Sequence, residues 1–357
     1  MQKLLTWNIL ILAIVGLAIL SSAGLIDAQK KFGSSYYYLN HQLIYLGLGL
    51  AAMFLMSKID YKIWKKLSLL ILFGSLVLMI MVFVPSFGLD LKGASRWINL
   101  VGFTFQPSEF LKLGLVIYLA AWFSGRDQRL ENWSYGMAPF FLVLSFIAIL
   151  LALQPDIGTL IVVSMISLGV YFLAGVSLKQ FFGIILVLLI AIGGLIFIEP
   201  YRFNRIKAYL DPAGDPRGIS YQVNQSMIAI GSGGLTGVGF GKSSQKYGLL
   251  PEVANDSIFA VAVEEIGLVG GVAIILLFLF LGFNMTQIAK NISDKFGILL
   301  VMGINIWIMS QAFINIAAIS GLAPLTGIPL PFVSYGGTAL ISLLAGLGIV
   351  INVAKKA

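Results

Sequence analysis

Ten stretches of this chain are apolar for about the length a helix needs to cross a bilayer, roughly 17–25 residues at a rise of about 1.5 Å each. They lie at about 8–26, 41–57, 66–84, 109–124, 137–153, 157–174, 179–198, 257–282, 297–318 and 334–354. Hydrocarbon offers the backbone no hydrogen-bond partner, so each stretch has to satisfy its own N–H and C=O groups, which a helix does. The reading is an all-α polytopic membrane protein, with residues 1–357 forming one integral-membrane domain. Composition agrees: 59% of residues are hydrophobic and 11% charged, where soluble domains sit near 45–50% and about 25%. The first stretch follows Lys3 and ends at Ser21-Ser22-Ala23, like a signal peptide. It is long for a signal-peptide core and is read as a retained span.

Lysines and arginines in short loops orient the chain. With the N-terminus in the cytoplasm, the inside segments hold Lys3, Lys58, Lys62, Lys65, Lys66, Arg126, Arg129, Lys179, Lys290, Lys295, Lys355 and Lys356. The short outside loops hold only Lys30, Lys31, Lys92 and Arg96. Both termini are therefore expected inside. Residues 199–256, between the seventh and eighth stretches, form the one long connection and lie outside. A connection of this length is usually functional or disordered. This one is too apolar and Gly-rich for a solvated tail, so short amphipathic helices and re-entrant backbone lining a cavity are expected. The net charge of +8 suits anionic lipid and anionic ligands. The basic residues are scattered among the spans, which excludes nucleic acid. Without cysteine, and with His41 the only histidine, there is no disulfide, thiolate site or multi-histidine metal site.

Against this apolar background, carboxylates stand out in LPEVANDSIFAVAVEEIGLVGG. Asp256 stands where the long loop enters the eighth stretch. Asn255 or Asp256 can serve there as a helix N-cap. A carboxylate at the membrane–water boundary can equally act as a general base, given reach to its proton and a pKa tuned by partial burial. One residue can do both. Glu264 lies about 12 Å further along the helix and about 80° around its axis, with Glu265 on the opposite side. Ionisable groups at such depth face a bundle interior and need partners. Both glutamates are read as structural groups behind the site, with an ion or proton path as the transporter-like alternative.

Three further stretches bear chemistry. In FQPSEFLKLGLVIYLA, Pro107 suits a first helical turn and Glu109 complements the helix dipole. Lys112, three residues on, shares its face and can pair with it. The pair is either structural, or it frees Lys112 to hold a phosphate beside Arg96 of KGASRWINL. In IGSGGLTGVGFGKSSQK a nucleotide-loop reading fails. G-x-x-x-x-G-K-[ST] needs glycine where Thr236 stands, and Gly237 is one residue too close. Those glycines read as tight, close-packed backbone, with Lys242 and Lys246 available to an anionic head group. In GLAPLTGIPLPFVSYGG, Pro324, Pro329 and Pro331 forbid a regular helix, and broken backbone at membrane depth lines a cavity.

Together GASRWINL, FQPSEFLKL, QPDIGT, YLDPAGDPRGISYQVNQSMIAIGSGGLTGVGFGKSSQK, LPEVANDSIFAVAVEEIG and PLTGIPLPFVSYGG resemble the SEDS family (FtsW, RodA, SpoVE), in order and over nearly the whole chain. The SSQK before LPE is more similar to the FtsW branch. The resemblance implies a peptidoglycan glycosyltransferase that polymerises lipid II at the outer face of the bacterial cytoplasmic membrane. It also implies a class B penicillin-binding protein as transpeptidase partner, alongside other divisome or elongasome proteins. The family's essential aspartate falls on Asp256 and its lysine on Lys112. Gln106, Arg96, Glu109, Glu264 and Glu265 also match family positions. Where the family reads His-Thr-Asp this chain has Ala254-Asn255-Asp256, and Ser257 replaces a usual phenylalanine, so the hydrogen bonding around the aspartate must differ.

The implied chemistry has Asp256 remove the proton from an acceptor sugar 4-hydroxyl, which attacks the donor's anomeric carbon with inversion. Lys112, Arg96, Lys242, Lys246 and Gln106 are the expected substrate and pyrophosphate contacts; Glu109, Glu264, Glu265 and Asn255 are expected to support them. No metal site is read from the residues, and a divalent cation, magnesium or manganese, stays open as an aid to the departing pyrophosphate. A lipid flippase and a non-catalytic scaffold for cell-wall enzymes are the rival readings.

Overall fold

The computed structural model describes residues 1–91, 94–100, 103–125 and 138–356. Helices occupy the apolar stretches in order: α1 (Gln2–Ala23), α3 (Tyr37–Met56), α4 (Lys62–Met81), α5 (Pro107–Ser124), α6 (Ala138–Leu153), α7 (Ile157–Leu173), α8 (Leu178–Ile198), α11 (Ile258–Lys290), α12 (Lys295–Ile319) and α13 (Gly337–Lys356). Seven of them, α1, α3, α4, α8, α11, α12 and α13, are long and apolar enough to cross a membrane. Helices α6 and α7 are shorter, at 16 and 17 residues, and α5 carries Glu109 and Lys112 within its first turns. Lys92, Arg126 and Arg129, which weigh in the orientation, lie outside the described residues.

Buried apolar side chains form one connected core running from Leu5 of α1 to Val353 of α13. Helices α11 and α12 pack on each other; α1 lies along α11, and α12 also contacts α5 and α7. The first helix is thus part of the core: Asn8 donates to Leu277 O at 3.3 Å and Ser22 to Glu265 at 2.7 Å. Helix α8 is held differently. It packs chiefly on α7 and on α9 (Pro200–Leu210), and Leu186, Leu189 and Ile190 are exposed, as suits a lipid-facing surface.

Two features depart from the sequence reading. A small antiparallel sheet, β1 (Gly88–Leu91), β2 (Ala94–Leu100) and β3 (Phe103–Phe105), precedes α5. Its strands pair Leu89 with Trp97 and Ile98 with Phe105, and Ile98 is fully buried. Helix α11 is longer than expected and is broken at Gly267, where φ is 72° and ψ −179°. A short helix, α2 (Leu25–Phe32), follows α1, and the long connection does hold short helices: α9, α10 (Tyr221–Gly233) and a single 3₁₀ turn at Gln245–Tyr247.

The break in α11 frees backbone groups that a straight helix would pair. The glycine-rich segment after α10 pairs them instead. Val238 N donates to Glu264 O at 3.0 Å and Gly239 N to Glu265 O at 3.1 Å; Leu268 N and Val269 N donate to Gly234 O and Leu235 O at 2.9 and 3.2 Å. Such exchange is required wherever non-helical backbone lies in an apolar setting. The approach is so close that a Cβ on Gly237 would sit 2.2 Å from Glu265 O. Gly237 also has φ +83°, a region that costs other L-residues about 1–2 kcal/mol. Gly241 has a similar φ of +80° and open space around its Cβ position. Gly237→Ala is therefore expected to lower the melting temperature in detergent well beyond Gly241→Ala, which bears the backbone strain alone; equal losses would refute the packing account.

Candidate active site

The turn that carries Asp256 is held by its carbonyls. Three in succession receive donors from far along the chain: Ala254 O from Tyr335 N at 2.8 Å, Asn255 O from Ser334 Oγ at 2.6 Å, and Asp256 O from Asn315 Nδ2 at 2.9 Å. Asn315 also donates to Ile328 O at 2.7 Å, and Ser334 Oγ accepts from Leu330 N at 2.8 Å. The proline-broken segment between α12 and α13 is thereby stitched to the start of α11. Its lack of helix is what frees its backbone for this task.

The expected cap does not form. Ser257 occupies the N-cap of α11, and no side chain caps the helix. Asn255 turns back to donate to Glu252 Oε2 at 2.6 Å, and Glu252 holds a left-handed φ of 53°. The Asp256 carboxylate accepts from Gln222 Nε2 of α10 at 3.4 and 3.3 Å; the same amide reaches Ser257 Oγ at 3.1 Å. So the departure at 255 has a structural outcome: asparagine anchors the glutamate beside the aspartate.

Asp256 is 9% exposed. Partly exposed Gln222 and Arg205 and exposed Gly327 surround it. A point one carbon above Gly327 lies 3.7 and 3.8 Å from the Arg205 guanidinium nitrogens and 4.0 Å from Asp256 Oδ2, so cation and carboxylate border one opening. Burial pushes the Asp256 carboxyl up to about 6, the Glu252 charge adds to the rise, and Arg205 and the Gln222 hydrogen bond oppose it. A carboxyl in that range is ionised at neutral pH and still basic enough to take a proton.

The other cations named from the sequence lie elsewhere. Lys246 is assigned to the pyrophosphate by the sequence reading; the structure corrects this. It is 4% exposed, and its ammonium donates to Ser22 Oγ at 2.9 Å, Gly241 O at 2.7 Å and Glu265 Oε1 at 2.9 Å. Those contacts engage all three ammonium donors. Glu264 beside it accepts from Ser243 Oγ and from Ser244 N and Oγ, the latter two at 2.9 Å. The two glutamates thus hold the loop against the broken helix.

Lys112 likewise points inward. It is 1% exposed, donates to Glu109 Oε1 at 2.8 Å and Gln311 Oε1 at 2.7 Å, and lies over the Trp307 ring. Gln311 in turn donates to Pro329 O at 3.0 Å, so this pair supports the segment that borders Asp256. Arg96 of β2 ties the sheet to the turn before α7, through Gln154 O at 2.9 Å and Pro155 O, with Asp156 at 4.0 Å. Gln106 precedes α5, its backbone N–H reaching Thr338 Oγ1 at 3.4 Å. Lys242 is exposed. Among the described residues no contact joins Arg96, Lys112 or Lys246 to Asp256, and no three acidic or histidine side chains converge as a metal site requires.

Sequence reasoning missed Arg205, Gln222 and Asn315. The signal for the first was the Arg202–Arg205 spacing in PYRFNRIKAYL, one face of a short helix in the long loop. Arg202 is buried and donates to Leu195 O at 2.9 Å and Ala152 O at 3.2 Å; it anchors α9 and leaves Arg205 at the opening.

Removing one member of a buried ion pair costs about 3–5 kcal/mol, whereas replacing both with apolar groups is often neutral. Lys246→Met is therefore expected to destabilise the protein strongly in detergent melts, with Lys246→Met/Glu265→Leu recovering part of the loss. A double variant no better than the single would refute the pairing.

Comparisons place this architecture. The family model described as cell cycle protein, covering FtsW, RodA and SpoVE, matches residues 2–357. A probable peptidoglycan glycosyltransferase FtsW from Geobacter is 40% identical over 97% of this chain and 94% of its own length. Stage V sporulation protein E of Bacillus subtilis is 37% identical over 97% and 94%. Among solved structures, a chain from a peptidoglycan synthase complex described as coordinating polymerization and crosslinking superposes with a TM-score of 0.81 at 30% identity, over 99% of this chain and 97% of that one. The rod shape determining protein RodA of Thermus thermophilus gives 0.73 at 28%, over 99% and 96%. With the whole chain matched and the helices superposed, the protein belongs to the FtsW, RodA and SpoVE family of multi-pass membrane proteins.

Proposed function

We propose that this glycosyltransferase of cell-wall synthesis polymerises lipid II, with Asp256 as its general base. The relatives named as peptidoglycan glycosyltransferases support the reaction class. The observation that carries the role of Asp256 is its setting: a carboxylate held up to about 6, at an opening shared with a guanidinium, at the mouth of a helix rather than within it. Asp256 takes the proton of the acceptor sugar's 4-hydroxyl. The freed oxygen attacks the donor's anomeric carbon, and the lipid diphosphate leaves with the bonding electrons.

The polyprenyl tail needs an apolar path. An open groove of about 480 Å³ runs along α12, lined by Met165, Ile306, Met309, Phe313, Ile314 and Ala317 and reaching Ala323. Ala323 lies in the same segment as Gly327. The site is then an interface device: tail in lipid, sugar in water. It belongs at the outer face of the bacterial cytoplasmic membrane, with both termini cytoplasmic. A structural relative from a complex that couples polymerization to crosslinking supports a class B penicillin-binding transpeptidase as partner, among other divisome or elongasome proteins. A magnesium or manganese ion would neutralise diphosphate charge; with no cluster of three ligating side chains among the described residues, it would ride with the substrate, and no step here is assigned to it.

Purified protein with its transpeptidase partner, given lipid II, is expected to form glycan polymer. Asp256→Asn should lose it by at least about 100-fold, the usual worth of a general base. Unchanged polymer with that variant sinks the assignment; transfer of labelled lipid II across liposomes without polymer would mark a flippase instead. The rate should climb with pH through about 6, where Asp256 ionises, and level off above. Glu252 raises the Asp256 pKa and Arg205 lowers it, so Glu252→Gln should shift the rising limb to lower pH. A shift upward would contradict the charge arrangement.

A further inference from the structure

We propose that Arg205 is the diphosphate-binding residue of this site. The assignment rests on the glycosyl-transfer reading and names the group that meets the leaving anion. Cationic stabilisation of that anion is required, because a diphosphate departs without a proton only when its developing charge is offset. Of the cations read from the sequence, Lys246 and Lys112 are buried in the core, Arg96 lies against the turn before α7, and Lys242 is exposed on the glycine-rich loop; Arg205 is the cation whose charge acts on Asp256.

Arg205 is placed for the task. Its guanidinium nitrogens and Asp256 Oδ2 each lie within about 4 Å of one point over Gly327, so a cation and the base border the same exposed glycine. The guanidinium is held in position: NH1 donates to Leu325 O at 3.0 Å, and the same helix is fastened by Arg202 and by Tyr209 OH to Leu322 O at 3.3 Å. A planar fork with five donors matches two phosphate oxygens better than an ammonium does. The apolar groove along α12 includes Ala323, in the same segment as Leu325, whose carbonyl Arg205 engages. In the step, the acceptor oxygen–carbon bond forms as the carbon–oxygen bond to phosphate breaks. The proton goes to Asp256 and the electron pair to the diphosphate oxygen facing Arg205.

Binding of undecaprenyl diphosphate and undecaprenyl monophosphate to the full-length protein in nanodiscs, titrated separately, tests this without turnover. Wild type is expected to prefer the diphosphate. Arg205→Gln should lose about tenfold or more of that preference, the worth of a charge-assisted bidentate contact, with monophosphate affinity falling less than diphosphate affinity. Arg205→Lys should fall between, and Asp256→Asn, which removes a negative charge beside the anion, should not lower the preference. Full preference in Arg205→Gln overturns the proposal; should that variant fail to fold, undiminished preference in Arg205→Lys overturns it. The two readings fail separately: polymerisation indifferent to Asp256→Asn removes the general base, whereas Asp256-dependent polymerisation with Arg205→Gln still selecting the diphosphate removes only Arg205.

Discussion

A carbonyl without a donor is costly in an apolar surrounding, by several kcal/mol. The turn at 254–256 presents three such carbonyls in a row, and Tyr335, Ser334 and Asn315 answer them. Everything else at the site follows from that bargain between two irregular segments. The proline-broken segment cannot coil into a helix, so its backbone and hydroxyl donors stay available for the turn. The turn, once satisfied, holds Asp256 at the mouth of α11 with its side chain directed to the opening beside Gly327. The break at Gly267 obeys the same constraint, with the glycine segment 234–239 standing in for the missing helical partners.

The carboxylates of this chain divide by how well they are solvated by protein. Glu265 has an ammonium and a serine hydroxyl, and Glu264 a backbone amide and two hydroxyls. Groups so matched tie the loop to the broken helix. Asp256 has long contacts of 3.3 and 3.4 Å from one side-chain amide, with a glutamate and a guanidinium nearby. Burial raises its carboxyl most, the glutamate adds to it, and the guanidinium and the amide oppose them.

The helices were legible because apolar length is a local property. Each of the stretches read from the sequence holds a helix, and Asp256 was legible because a carboxylate between a polar loop and an apolar run is conspicuous. The partners were not legible. Lys112 meets Gln311 across 199 positions and Lys246 meets Ser22 across 224, and no spacing rule connects residues so far apart. The lysines look free in sequence for that reason alone. The break at Gly267 was equally hidden, since EEIGLVGG has the composition of an uninterrupted span. The sheet at 88–105 was overlooked because its strands are short, three to seven residues, and sit in a connection between much longer apolar runs.

The stitching of residues 254–256 to 315, 334 and 335 also dictates when the site comes into being. Synthesis runs from the N-terminus, so the donors for the turn at 254–256 follow it by about sixty to eighty residues. The turn can reach its final form only after residues 315, 334 and 335 have been made.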